Sequence, residues 1–361
     1  MLVSFPLLLH LLAGPAPAVP SLPHPRAHGG DVRVTIDSSA YTITLAAGPF
    51  AIPAGHPEMG HAAMHEHTAE VPLLYFKWPM TAYLRGFRLE LTDSAGRPLP
   101  RRLLHHLNLV NFGRRQLFYA VPERTLAVGQ ETPDIMLPKT VGIPVEAEWP
   151  MALVLAWHNE TAEPIPAVNV TLVLSWSPTT LTPRPTPVLP VYMDVVDPVA
   201  KPVTFDLPPG RSRYEADFTL PTSGRIIGIG GHAHDYATGI ALEELRPDGR
   251  PRIVTRLRTT LDSAGRLLGI EQKLPGIRSA GIPLTAGRRY RIVGTYDNPN
   301  PDTLRAGAMI HVVFLYAVTD PAKWPAVDPE DRDWQREVAW LDDRGSGYGG
   351  EMDHDGMGHT H

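Results

Sequence analysis

The sequence of 361 residues contains no cysteine. Disulfide bonds, thiolate metal sites and cysteine nucleophiles are therefore excluded, and a metal ion could be held only by histidine, methionine or carboxylate side chains. The sequence also lacks a basic cluster, and its formal net charge is −5. Nucleic acid is therefore not expected as a partner, since nucleic-acid-binding surfaces are rich in lysine and arginine.

Long apolar runs are lacking as well, and none spans a bilayer comfortably. The first residues form a short apolar segment, 1–12, followed by small residues at 16–18. This pattern resembles a secretory signal peptide, although the usual basic segment before it is missing. We therefore predict a signal peptide at 1–18, a secreted or periplasmic mature protein, and no stable insertion in a membrane. A retained membrane anchor is the alternative.

Proline and glycine are abundant, with 39 and 31 residues, yet 43% of the residues are hydrophobic. This composition favours a globular protein of strands and turns over a disordered one. Short apolar or alternating runs, separated by turn signals, recur along the chain. The pattern predicts an all-β fold of two antiparallel, jelly-roll-like β-sandwich domains.

The proline-rich stretch 178–190 separates two halves and is predicted to be a domain linker. The first sandwich is predicted at 30–177, with a histidine-rich loop at 56–67, and the second at 191–320. Residues 321–361 are predicted to contain a C-terminal helix and a tail rich in histidine and methionine.

The helix is predicted near 328–341, where Trp334, Val338 and Leu341 fall at helical spacing. Asp328, followed by Pro329, is the predicted N-cap.

His232 and His234 follow an apolar run that predicts a buried strand at 225–229. Side chains two positions apart on a strand point the same way, about 7 Å apart at Cα. Two imidazoles at this spacing could grip one metal ion. The alternative is a pair of histidines at a strand end, bonded to backbone and water.

Further candidate ligands lie on or at the ends of other predicted strands: His105 and His106 on one, His158 after another, and Met309 before a third. Vicinal histidines on a regular strand face opposite ways, so His105 and His106 need a bulge or a strand end to share a metal. A thioether is a soft ligand that favours Cu(I), and zinc sites rarely use it.

The order and spacing of these candidates resemble the type 2 copper monooxygenases, the family of peptidylglycine α-hydroxylating monooxygenase and dopamine β-monooxygenase. The resemblance covers roughly residues 85–320. It implies two copper ions facing an open cleft between the sandwiches, an electron-transfer copper and an oxygen-binding copper. The implied ligands are His105, His106 and His158 for the first, and His232, His234 and Met309, also the catalytic residues, for the second.

The implied activity is hydroxylation of an aliphatic C–H with O2 and a reductant such as ascorbate. The sequence departs from the family at three positions besides lacking disulfides. Gly230 stands where the amidating enzyme has the arginine that grips the substrate carboxylate, Val313 where it has tyrosine, and His311 where it has asparagine. A peptide carboxylate is therefore not the expected substrate, which stays an unknown small or aliphatic molecule.

Two further segments are rich in histidine and methionine, a composition that suits copper above other metals. They favour a second interpretation, a copper carrier, buffer or sensor on the same fold without turnover. Solvated segments that collect metal adventitiously are the alternative. With His311, the candidate accessory ligands are His56, Met59, His61, Met64, His65, His67, His354, His359 and His361.

Overall fold

The computed structural model describes residues 32–55, 69–70, 73–159, 161–199 and 203–343. The predicted signal peptide lies outside these residues, and so do the loop and tail ligands His56, Met59, His61, Met64, His65, His67, His354, His359 and His361. Within the described ranges, no helix is long and apolar enough to cross a membrane. The fold is all-β and is built mainly from antiparallel sheets, which confirms the predicted fold class.

The first half of the chain forms two sheets. Its strands are β1 (Arg33–Asp37), β2 (Thr42–Ile52), β3 (Ala69–Glu70), β4 (Leu74–Lys77), β5 (Ala82–Thr92), β6 (Leu104–Arg115), β7 (Pro122–Gly129), β8 (Ile135–Met136), β9 (Val141–Val145), β10 (Pro150–Trp157), β11 (Ile165–Ser177) and β12 (Thr186–Pro187). In the described part of the chain, one sheet has the order β1-β2-β11-β5-β9-β12, with β8 on β5. The other has the order β3-β10-β6-β7, with β4 on β10.

These two sheets enclose one apolar core. Strand β11 alternates between buried and half-buried residues because one of its faces packs on the core. Leu45 and Leu172 from the first sheet belong to the same buried cluster as Leu107 and Leu153 from the second. The first half is therefore a β-sandwich.

The second half forms another sandwich. Its strands are β13 (Leu189–Asp194), β14 (Phe205–Leu207), β15 (Gly210–Thr219), β16 (Gly224–Ala233), β17 (Ala237–Leu245), β18 (Pro251–Leu257), β19 (Thr259–Leu261), β20 (Leu267–Ile270), β21 (Ile282–Leu284), β22 (Arg289–Asn298), β23 (Leu304–Ala308) and β24 (Ile310–Val318). Among the described residues, its main sheets have the orders β13-β24-β16-β21 and β15-β22-β17-β18, and two antiparallel strand pairs, β14-β23 and β19-β20, complete it. Ile226, Phe314, Ile240 and Ile292 meet in its core.

The proline-rich stretch predicted as a linker contains two strands. Thr186–Pro187 pairs in parallel with β9 of the first sandwich, and Leu189–Asp194 pairs with β24 of the second. Proline is tolerated here because both segments lie at sheet edges, where a missing N–H costs no ladder hydrogen bond. The crossing from one sandwich to the other is therefore shorter than the proline pattern indicates.

Helical structure is sparse in the described residues: a short helix at Pro275–Arg278, 3-10 turns at Arg101–Leu103 and Pro321–Lys323, and a C-terminal helix at Arg332–Asp343. Trp334, Val338 and Leu341 of the C-terminal helix are buried, as their spacing predicts. The predicted N-cap at Asp328 is wrong. The Asp331 carboxylate accepts from the backbone N–H groups of Asp333 and Trp334 instead, while Asp328 closes a turn before it.

The C-terminal helix packs on the outer face of the β10-β6 sheet. Its buried residues form a cluster with Val110, Phe112, Ala152 and Val154. Strand β10 is therefore covered on both faces, which explains why its sequence is continuously apolar rather than alternating.

Candidate metal centre

His105 and His106 lie at a bulge in β6. Opposite them, β10 pairs Ala156 with His106 and Trp157 with Leu104, so His105 is the extra residue. A bulge redirects one side chain, so two consecutive residues can face the same side. The two Nδ1 atoms lie 3.2 Å apart. Two nitrogen ligands about 2.0–2.1 Å from one tetrahedral ion are separated by about 3.3 Å. The two Nδ1 atoms are therefore spaced as two ligands of one metal ion would be.

His158 follows β10 directly, and its backbone N–H donates to the carbonyl oxygen of Leu103, 2.8 Å away. Its backbone is therefore beside the strand end that carries His105 and His106. Among the described residues, however, no group of three His, Cys, Asp or Glu side chains is arranged to hold a metal ion. Joining His158 to the His105–His106 pair at one ion requires a change of side-chain conformation.

The second group of candidates is built on β16 and β24. His232 and His234 lie on β16 and just beyond its end, with ring centroids 5.5 Å apart and nearly perpendicular rings. His232 pairs in register with His311 on β24, and their rings stack at 5.0 Å. Met309 directly precedes β24. The pairing of two strands thus brings together residues that are about 75 positions apart in sequence.

His311 is 8% exposed, and its ring contacts the rings of His232 and Tyr192. The ring centroids of His311 and Tyr192 are 4.8 Å apart. Burial, together with the positive charges of His232 and Arg124, holds the pKa of His311 well below its ordinary value. The ring is therefore neutral near pH 7. Its Nδ1 is buried and has no hydrogen-bond partner among the described residues, so a nitrogen lone pair or N–H is available beside His232.

Tyr296, which sequence reasoning missed, positions this second group. Its hydroxyl donates to the Met309 carbonyl oxygen at 2.6 Å and accepts from the N–H groups of Met309, at 3.2 Å, and His234, at 3.4 Å. Tyr296 lies on β22 of the facing sheet and is 1% exposed, and burial raises its pKa. One buried hydroxyl therefore ties the backbones of two candidate ligands together.

A carboxylate from the first sandwich completes the surroundings of His232. Oε1 of Glu131 lies 2.8 Å from Nδ1 of His232. Burial acts to raise the pKa of Glu131, but the charge and hydrogen bond of His232 outweigh it and the net shift is downward. Burial likewise acts to lower the pKa of His232, and Glu131 reverses the direction. Because Nδ1 is taken by Glu131, Nε2 is the nitrogen of His232 that remains for a metal.

A buried polar network joins the two sandwiches next to His311. The guanidinium of Arg124, on β7, lies 4.4 Å from the ring centroid of Tyr192 on β13. The Tyr192 hydroxyl makes a short hydrogen bond to the Asp194 carboxylate, and burial raises the pKa of Asp194 to about 6. Sequence reasoning did not find this network, since Arg124 is far in sequence from Tyr192 and Asp194.

A cavity of about 700 Å³ connects the two candidate groups. Its wall is formed by both sandwiches and includes His105, His106, Glu131, His232, His234, Met309 and His311. His158 does not belong to the wall. The donor types, imidazole and thioether, fit copper, and the two histidine pairs line one cavity.

No family model matches this chain, and no curated protein matches it. The chain is similar to a protein in the atomic structure of Sulfolobus turreted icosahedral virus, with 12% identity and a TM-score of 0.33, over 77% of this chain and 97% of that one. It is also similar to PNGase F, a glycosylasparaginase from Flavobacterium meningosepticum, with 9% identity and a TM-score of 0.35, over 76% and 96% of the two chains. Similarities this weak carry no conclusion about function.

Proposed function

We propose that this protein is a secreted copper-dependent monooxygenase that hydroxylates an aliphatic C–H of an organic substrate with O2 and a reductant such as ascorbate. The observation that supports it is the shared cavity. His105 and His106 from one sandwich line the same cavity as His232, His234 and Met309 from the other. In this proposal, both centres are reached from one substrate chamber.

In this proposal, His105, His106 and His158 hold the electron-transfer copper. The Nδ1 atoms of the first two, 3.2 Å apart, are its nearest pair of donors. In the absence of metal, one ring donates a hydrogen bond to the other. Copper bound to both Nδ1 atoms would require the proton between them to move to Nε2 of its ring or to be released.

His232, His234 and Met309 hold the second copper. Bound copper would supply the one-electron redox chemistry that activation of O2 requires. Glu131 accepts a hydrogen bond from Nδ1 of His232 and keeps Nε2 directed to the metal, the arrangement common to carboxylate–histidine–metal sites. Tyr296 holds the backbones of Met309 and His234 in place.

One observation favours a second candidate function, a copper-binding protein without turnover. The neutral ring of His311 stacks on His232 at 5.0 Å. If His311 became a further nitrogen ligand, it would close the position that O2 needs and would favour Cu(II) over Cu(I). The same fold would then serve as a carrier, buffer or sensor.

The test uses the full chain loaded with copper. We expect two copper ions per chain by elemental analysis and oxygen consumption that depends on ascorbate. Met309→Ile should weaken Cu(I) binding at the second site and abolish oxygen consumption, because isoleucine keeps the volume but has no sulfur donor. Met80→Ile, at a partly buried methionine of the first sandwich outside the cavity wall, is the matched control and should change neither.

His311→Ala separates the two candidates. The monooxygenase proposal predicts that copper stoichiometry stays at two in this variant. If His311→Ala empties the second site while Met309→Ile does not, the ligands are three histidines and the monooxygenase proposal fails. Two bound coppers without any ascorbate-dependent oxygen consumption would favour the carrier, buffer or sensor.

A further inference from the structure

The surface of the cavity between the sandwiches is mostly apolar. Ile135 and Ile143 contribute from the first sandwich, and Leu274, Val313 and Leu315 from the second. A volume of about 700 Å³ is in the range of sites that enclose most of a medium-sized organic ligand. The body of a ligand that fills this space is therefore apolar.

The charged groups in the wall differ in whether they have an oppositely charged neighbour. Glu131 is paired with His232. The ammonium group of Lys273 donates to the Arg256 carbonyl oxygen and lies 3.6 Å from the Glu271 carboxylate. Each of these two groups therefore has an oppositely charged neighbour.

Arg124 is compensated too. Burial acts to lower its pKa, but the neighbouring Tyr192, Glu337 and Asp194 raise it by more. The net shift is upward, as expected of a cation that lies among anionic or polar neighbours.

Arg85, on β5, has no such neighbour. Among the described residues, its guanidinium donates to the Leu137 carbonyl oxygen at 3.1 Å and contacts the Met136 sulfur at 3.7 Å, and it forms no ion pair. Its Nε is buried without a hydrogen-bond partner in this part of the chain. Desolvation lowers the pKa of Arg85, the direction expected when no anion compensates a partly buried cation.

We propose that Arg85 is the anchor for an organic carboxylate whose apolar body fills the cavity. A partly desolvated cation without a counter-charge is unfavourable, and an anionic ligand removes that penalty. A guanidinium offers two parallel N–H groups that match a carboxylate, which makes one arginine sufficient. Lys273 of the second sandwich already lies beside the Glu271 carboxylate, so the anchor comes from the first sandwich. That this ligand is also the oxidised substrate rests on the proposed function; that it binds does not.

The test is isothermal titration calorimetry on the metal-free full chain at pH 7 with a matched pair of probes, octanoate and octan-1-ol. We expect octanoate to bind at least about tenfold more tightly, since a hydrogen bond to a charged group contributes about 1.5–3 kcal/mol. Arg85→Met should remove that preference by weakening octanoate binding about tenfold. Octan-1-ol binding should stay unchanged, which also shows that the variant is folded.

Arg88→Met is the control on the same strand, at an exposed arginine that pairs with Glu90 outside the cavity, and should have no effect. The inference is overturned if wild type binds the two probes equally, if neither probe binds, or if Arg85→Met leaves octanoate affinity unchanged. Loss of oxygen consumption with intact octanoate selectivity would remove the proposed function and leave the carboxylate site standing.

Discussion

Glu131 of the first sandwich and His232 of the second are in direct contact, with Oε1 of Glu131 2.8 Å from Nδ1 of His232. Glu131 follows β7, and Gly129 at the end of that strand makes room for it. A Cβ atom at position 129 would lie 2.2 Å from the Glu131 carboxylate, a distance that non-bonded atoms do not adopt. The absence of a side chain at Gly129 therefore lets Glu131 reach His232.

Glu131→Ala should weaken copper binding at the second site by about 10–100-fold, the usual cost of removing a carboxylate that orients a histidine ligand. Glu131→Gln should retain most of the affinity, because its carbonyl oxygen still accepts from Nδ1. The measurement is competition for Cu(I) with a chromophoric chelator. Copper at the first site should be unaffected in both variants. Glu90→Ala is the control and should leave copper binding at both sites unchanged. Equal affinity in wild type and Glu131→Ala would contradict an orienting role.

Tyr296→Phe should lower the free energy of unfolding by about 1–3 kcal/mol, because the Met309 carbonyl oxygen loses its buried donor. The variant should also bind Cu(I) more weakly at the second site, since Met309 and His234 lose their common support. Urea denaturation measures the first effect. Tyr214→Phe is the control, because the Tyr214 hydroxyl makes an exposed hydrogen bond to the Asp206 carbonyl oxygen. A smaller loss at Tyr296 than at Tyr214 would refute this role.

Leu341→Ala should cost about 2–5 kcal/mol, the range for deleting most of a buried leucine. Leu341 is 5% exposed and packs with the outer face of β10 and β6. Arg336→Ala on the exposed face of the same helix should change stability by less than about 0.5 kcal/mol. Thermal unfolding of both variants measures the difference. If Leu341→Ala is as stable as Arg336→Ala, the C-terminal helix does not stabilise the first sandwich.

A pH dependence is expected at Asp217, which pairs across the sheet with Arg291 and also contacts Arg289. The hydrogen bond from Arg291 is the largest cause of the lowered pKa of Asp217. A carboxyl with a lowered pKa in the folded state stabilises the fold above its unfolded pKa, and this contribution is lost as pH falls through the folded value. Asp217→Asn should therefore cost up to about 1 kcal/mol at pH 7. The cost should vanish at pH values below the folded pKa. Urea denaturation of wild type and variant at several pH values measures this, and a cost that is constant with pH would contradict it.

Part of this structure was predictable because it depends on local pattern. The alternation of β11 and the spacing of Trp334, Val338 and Leu341 each follow from which face of an element is buried. For His105 and His106 to share a metal, the strand needed a bulge or an end at this point, and the structure has a bulge there. The N-cap was misassigned by three residues because two aspartates lie close together and each accepts from backbone N–H groups.

By itself, the sequence determined the all-β fold, the helix face and the absence of thiol chemistry, because these follow from composition and from periodicities of two or 3.6 residues. Only the tertiary structure decided that Glu131 contacts His232, 101 positions away, that Tyr296 supports Met309 and His234, and that Arg85 enters the cavity without a counter-charge. The physical reason is that a periodic pattern tells which face of a strand is buried but not which strand it faces. The Tyr296 contacts arise when the two sheets of the second sandwich pack, and the Glu131–His232 contact arises when the two sandwiches pack.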